Sequence, residues 1–319
     1  MTVENCGNSE KKSFLVLKKQ GLKNYIFTLG LVKTKNTSYK KQNMDIIERK
    51  ICWRVTRYCT LHCMHCLAGH GTKLIKDLSE DDQLLSVKKI IKCNVSRITW
   101  TGGEPTLCAT LPQLLKICHD NNIKSIITTH GLALREKFYS ALNKELDKLR
   151  FSFDGLEKKH NLIRGGQYFE KTLDTMKRSF SLGFTIEANI NVMQNNIKEI
   201  PDLICKLESI GIKKIVLLNL MDRESAHDNN LERPQKEEYV LLNKKLVELK
   251  YLYPNLEIQL NNYWDENDYY IVLESNGEIF LCSENTEDKS FGFITENAGI
   301  ENLNLALINQ TLSHRKNIN

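Results

Sequence analysis

No stretch of the 319-residue chain is apolar for the length of a membrane span, and MTVENCGNSEKKSF at the start lacks the apolar core of a secretion signal. A cytoplasmic chain with no membrane partner is therefore expected. A dense basic stripe is missing too. The 45 Lys and Arg against 39 Asp and Glu leave +6, spread thinly along the chain, which argues against nucleic acid as a partner. What the chain does have is ten cysteines and 41% hydrophobic residues, enough for a large core. In a reducing compartment, closely spaced cysteines point to metal rather than to disulfides. One further absence is local. CTLHCMHC, residues 59–66, gathers three cysteines and offers no fourth beside them.

From Ile51 the chain alternates strand and helix. ICWRVT reads as a strand, and the cysteine loop follows it. Ser79, with Asp82 three residues on, opens a helix through LSEDDQLLSVKKIIKC. SRITW, IKSIITTH, RFSFD, FTIEANINVM and IKKIVLLNLM read as strands. Between them TLPQLLKICHDNN, LREKFYSALNKELDKL, YFEKTLDTMKRSFSLG and IKEIPDLICKLESIG read as helices. Such alternation predicts a parallel α/β sheet with crossover helices, here a partial (βα)6 TIM-like barrel over residues 51–222. Residues 1–50 are expected to form a short N-terminal extension, a hairpin near Gly21 and a linker. Residues 223–319 are expected to add a polar insertion, a helix, a β-hairpin around Asn276-Gly277 and a short terminal helix that complete or cap the barrel. Chemistry in βα barrels sits in the loops after the strands, and the cysteine loop follows the first.

Three thiolates at CxxxCxxC suit a cubane iron–sulfur cluster, with a fourth iron left open. A structural zinc site completed by His62, His65 or Cys52 is the competing reading, although zinc usually takes two separated pairs of ligands. Spacing alone leaves both open.

Five loops together resemble the radical S-adenosylmethionine (SAM) superfamily. CxxxCxxC after the first strand is similar to its signature, with His65 where an aromatic residue is usual. TGGEP, residues 101–105, follows the second strand; TTHG, residues 128–131, ends the third; FSFDG, residues 151–155, ends the fourth. HNLIRGG, residues 160–166, resembles the HDxIRG stretch of peptide-modifying maturases and the molybdenum-cofactor cyclase. Asn189 and Asn196 resemble a fifth-strand motif shared with viperin. The resemblance implies one 4Fe-4S cluster on Cys59, Cys63 and Cys66. It also implies SAM held by His65, Gly102, Gly103, Glu104, Pro105, Thr129, Ser152, Asp154 and Asn189. Reductive cleavage of SAM would give a 5′-deoxyadenosyl radical that removes hydrogen from substrate. An electron donor such as flavodoxin or ferredoxin is implied with it.

The favoured substrate is a peptide or small natural-product precursor. A viperin-like nucleotide dehydratase is the alternative, for which Lys73, Lys76 and Arg223 are the candidate phosphate contacts. A zinc-stabilised binding module is the third reading. The chain departs from its cluster-rich relatives after Cys282, beyond which no cysteine follows, so one cluster is expected. Cys282 is either a buried apolar residue or a hydrogen donor to a substrate radical. Arg164 either salt-bridges within the barrel or touches substrate.

Overall fold

The structure is a computed structural model that describes residues 49–68, 75–260, 269–283 and 288–316. The expected extension over residues 1–48 lies outside the described residues. Seven strands run parallel in chain order: β1 (Lys50–Thr56), β2 (Arg97–Gly102), β3 (Lys124–Thr129), β4 (Asp147–Phe153), β5 (Thr185–Val192), β6 (Lys214–Asn219) and β7 (Glu257–Leu260). On the free edge of β1 lies β8 (Tyr269–Leu273), also parallel, with Cys52 opposite Val272. Two antiparallel strands, β9 (Glu278–Ser283) and β10 (Lys289–Phe293), extend the sheet from there. The β8–β9 hairpin turns at Asn276-Gly277, as its sequence predicts.

Helices connect the parallel strands: α1 (Glu80–Lys92), α2 (Leu111–Asp120), α3 (Glu136–Tyr139), α4 (Glu157–Arg164), α5 (Phe169–Ser181) and α6 (Ile200–Glu208). After β6 come α7 (Ser225–Asp228) and α8 (Lys236–Leu252), and α9 (Gly299–Lys316) ends the described chain. Ser79 caps α1, its hydroxyl accepting from the Asp82 N–H at 3.1 Å. No helix among the described residues is long and apolar enough to cross a membrane.

Strand alternation sorts the two faces of the sheet. Ile51, Trp53 and Val55 of β1, Leu149, Phe151 and Phe153 of β4, and Ile186, Ala188 and Ile190 of β5 are buried in the hydrophobic core. Trp53 and Trp100 stack there with centroids 5.2 Å apart. The intervening residues, Arg54, Thr99, Arg150, Ser152, Glu187 and Asn189, line a cavity of about 800 Å³ instead. A filled TIM barrel packs large apolar residues inward; this one has polar walls around open space.

Two expectations need correction, and some elements have no expected counterpart. The helix expected over 134–149 is only the single turn of α3. Asn143 captures the N–H groups of Glu145 and Leu146, and Asp147 captures that of Asn143, so local side-chain bonds end the helix and β4 starts early. HNLIRGG forms much of α4, a helix of its own. Strands β7 and β10 carry no expected counterpart, because both are short. The terminal helix is long rather than short, spanning 18 residues.

Candidate active site

The cysteine loop leaves β1 where the register with β2 shifts between Arg54 and Thr56. Its root is clamped on both sides. Thr56 Oγ1 donates to Asp77 Oδ2 at 2.6 Å, and the Arg57 N–H donates to Asp77 Oδ1 at 3.1 Å. The β2 loop closes from the other side. The N–H of Gly103 donates to Thr56 O at 2.6 Å, and that of Glu104 to Tyr58 O at 2.8 Å. A Cβ on Gly102 would stand 2.1 Å from Thr56 O, and one on Gly103 2.2 Å from Tyr58 O. The two glycines therefore serve the approach of one loop to the other, besides lining the cavity.

The far side of the loop is held by later elements. The Met64 N–H donates to Ile163 O at 2.8 Å, and Arg164 Nη1 to the Cys63 sulfur at 3.8 Å. From the 222–235 insertion, Asn229 Nδ2 donates to Met64 O at 3.1 Å and the Ser225 N–H to Cys66 O at 3.4 Å. Cys59, Cys63 and Cys66 all line the cavity. Burial pushes the Cys63 thiol up to about 11 and the Cys59 thiol upward as well. Such thiols stay protonated until a metal displaces the proton.

Which metal the loop suits follows from its donors. Three thiols in one loop, each able to take its own iron, make a donor set that suits a cubane iron–sulfur cluster.

Glu104 is buried. Its Oε1 accepts from the Thr106 N–H at 3.1 Å, Thr106 Oγ1 at 2.5 Å and Thr129 Oγ1 at 2.7 Å. Its Oε2 accepts from the His130 N–H at 2.9 Å, so that oxygen retains a lone pair. Glu104 thus ties the β2 loop to the end of β3 and also faces the cavity. His130 accepts the Leu132 N–H on Nδ1, which puts its own proton on Nε2, 3.4 Å from Glu104. Burial lowers the His130 pKa and outweighs the opposing Glu104 charge.

Of the residues singled out in sequence, His65, Thr129, Ser152 and Asn189 also line the cavity. Asn189 Oδ1 is buried without a hydrogen-bond partner, a wall group suited to a ligand donor. Three others stand off the cavity wall. Pro105 starts a one-turn 3₁₀ helix, Asp154 is fully buried behind Arg164, and Cys282 is buried on β9. Cys282 lies opposite Tyr270, which lines the cavity, and Cys52 reaches the wall itself. Asn196 is a clip: its Nδ2 donates to Asp154 O and Asn191 O, and its Oδ1 accepts from the Met193 N–H. Burial alone would raise the Asp154 carboxyl, but Arg164 first, and then His65 and His160, hold it below its ordinary value.

Residues 53–207 match the family model of the radical SAM superfamily. They are a radical SAM domain. The chain is 26% identical over 227 residues to a probable GTP 3',8-cyclase of Methanococcus maripaludis strain C6, covering 67% of this chain and 76% of that one. It is 25% identical over 213 residues to an S-adenosylmethionine-dependent nucleotide dehydratase of Lacinutrix mariniflava, covering 61% of this chain and 43% of that one. Among solved structures, Streptococcus suis SuiB bound to precursor peptide SuiA superposes with a TM-score of 0.67 at 17% identity, over 79% of this chain and 63% of SuiB. The chain thus spans less than half of the dehydratase and under two thirds of SuiB.

The radical SAM domain also places residues that the loop motifs do not reveal. Arg150 and Lys148 converge on buried Glu187 inside the barrel, at 2.5 and 3.0 Å. The period-2 alternation of polar residues in RFSF and IEANIN carried that signal, because inward positions recur every second residue.

Proposed function

We propose that this chain is a radical SAM enzyme that binds one 4Fe-4S cluster through Cys59, Cys63 and Cys66 and removes hydrogen from a peptide or small natural-product precursor. The observation that supports it most is the gathering of three thiols, the GGE loop and Asn189 on one polar cavity of about 800 Å³. When bound, the cluster and SAM supply an electron and a 5′-deoxyadenosyl radical, chemistry that belongs to the cofactor. The chain's own residues bind and orient. The lone pair on Glu104 Oε2 suits an ammonium group, Asn189 Oδ1 suits a hydroxyl or amine donor, and Ser152 adds a hydroxyl on the neighbouring strand. The 222–235 insertion is tied to the cysteine loop through Asn229 and Ser225 and helps to fix its position. The electron comes from a low-potential carrier such as flavodoxin or ferredoxin, in the cytoplasm.

A nucleotide substrate is the second reading, supported by the names of the cyclase and dehydratase relatives. Inside the cavity, Arg54 pairs with Glu274, Arg150 with Glu187 and Lys214 with Glu257, so a triphosphate at these three has to displace a carboxylate, whereas Arg97 and Lys124 line the cavity as well. Arg223 pairs with Asp288 at 2.8 Å, Lys76 is exposed, and Lys73 lies outside the described residues. Those pairings favour the peptide reading.

The test is anaerobic purification, iron and sulfide counting, and incubation with reductant and SAM. About four irons per chain, with 5′-deoxyadenosine formed and lost in Cys59→Ala, Cys63→Ala and Cys66→Ala, is the expected result. Zinc in place of iron with no SAM cleavage overturns the proposal. Turnover of nucleoside triphosphates, and of no peptide, moves it to the second reading.

A further inference from the structure

Arg164 ends α4, and only 8% of it is exposed. A buried guanidinium is unfavourable unless its hydrogen bonds and charge are answered. Its Nε donates to Asp154 Oδ2 at 2.5 Å, and its Nη1 reaches the sulfur of Cys63 at 3.8 Å. Asp154 is itself fully buried; its Oδ1 has no hydrogen-bond partner and lies 3.7 Å from Nε2 of His65, next to Cys66. The backbone fixes this arrangement. Ile163 O accepts the Met64 N–H at 2.8 Å. Gly165 ends the helix at φ 77°, and a Cβ there would meet His62 O at 3.2 Å. The end of α4 is thus seated on the cysteine loop, with its cation aimed at one sulfur.

We propose that Arg164 is a positioning residue that sets the reduction potential of the cluster, with Asp154 as the counter-ion that aims it. This deepens the radical SAM reading and rests on it. Reduction adds one negative charge to the cluster. A cation hydrogen-bonded to a ligand sulfur stabilises the reduced form more than the oxidised one and raises the potential. A buried carboxylate one bond further away acts in the opposite direction. The Arg–Asp pair therefore holds the potential between the values that either charge alone would give.

The experiment uses the full chain, reconstituted without oxygen and counted for iron. An EPR-monitored redox titration then gives the cluster midpoint in wild type, Asp154→Asn, the Asp154→Asn/Arg164→Gln double variant and Arg164→Lys. The two substitutions of the double variant remove both buried charges together and leave neither unpaired, so comparing it with Asp154→Asn isolates the guanidinium. The midpoint is expected to rise in Asp154→Asn and to fall in the double variant relative to Asp154→Asn. In Arg164→Lys it is expected to fall below wild type, because an ammonium held by Asp154 does not also span to the sulfur. Coincident midpoints in Asp154→Asn and the double variant overturn the proposal. Should the double variant take up no iron, an unmoved midpoint in Arg164→Lys overturns it instead. A wild-type chain that assembles no iron–sulfur cluster overturns the function reading and this inference with it, an outcome distinct from both.

Discussion

His160 sits between Phe153 and Phe169, its ring centroid 5.4 Å from each, with Nδ1 buried and without a hydrogen-bond partner. Burial first, and Arg164 second, lower its pKa from 6.5 to about 4. Between those values the unfolded chain binds the proton and the folded chain does not, so stability falls as pH drops through that window. The loss is complete near the lower value and amounts to about 3 kcal/mol. His160→Phe fills the same aromatic slot and removes this loss, so the decrease in Tm from pH 7 to pH 4.5 should be smaller than in wild type. An equal decrease in both would show that other groups carry the acid sensitivity. The first letter of HNLIRGG is thus a core residue, and its fifth carries the contact to the cluster loop. Asn161, its second letter, caps α5 by accepting the N–H groups of Tyr168 and Phe169 at 2.8 and 2.9 Å. Cys59, Cys63 and Cys66 were legible in the sequence because their spacing is local. The role of Arg164 was not, since its sulfur partner lies 101 residues earlier and only the fold unites them.

At the scale of elements, the cysteine loop is a short irregular segment made rigid by its neighbours. Gly103→Ala should force the β2 loop away from Tyr58, because the added Cβ meets backbone rather than a movable side chain. A destabilisation of about 1–3 kcal/mol is expected, read by chemical denaturation, with lower iron content after reconstitution. Unchanged stability and iron loading would mean that the two loops move freely past each other. Asn229→Ala removes a tie to Met64 O, and also one to Ser225 O within the insertion. Its cluster should bleach faster in air than that of wild type, while the anaerobic protein keeps its full iron. Elements were legible wherever a strong apolar period ran unopposed, as in α1, α5 and β5. The sequence misled over 134–149, where a helical apolar pattern lost to hydrogen bonds made by Asn143 and Asp147, a competition that periodicity does not register.

At the scale of the molecule, the barrel is hollow and its interior is an electrostatic lattice. Glu187 answers both Arg150 and Lys148, and burial, which would raise its pKa, is overcome by Arg150. Glu187→Ala leaves Arg150 in the interior without its carboxylate, and a loss of about 3–5 kcal/mol is expected. Pairing it with Arg150→Met should recover much of that stability, measured by urea denaturation. If the double variant is as unstable as the single one, the interior tolerates no exchange of charge for packing. The partial barrel was legible because strand and helix alternate; its hollow interior was only half legible, through polar residues at every second position of β4 and β5. The pairing of β8 with β1 has a consequence for how the protein is made. The strand that launches the cysteine loop is made before its second neighbour, Val272 and Leu273 beside Cys52 and Trp53, which is translated roughly 10–40 s later. Until then β1 lacks β8 on that edge, so the loop that carries the three thiols is expected to reach its final setting only once β8 has paired.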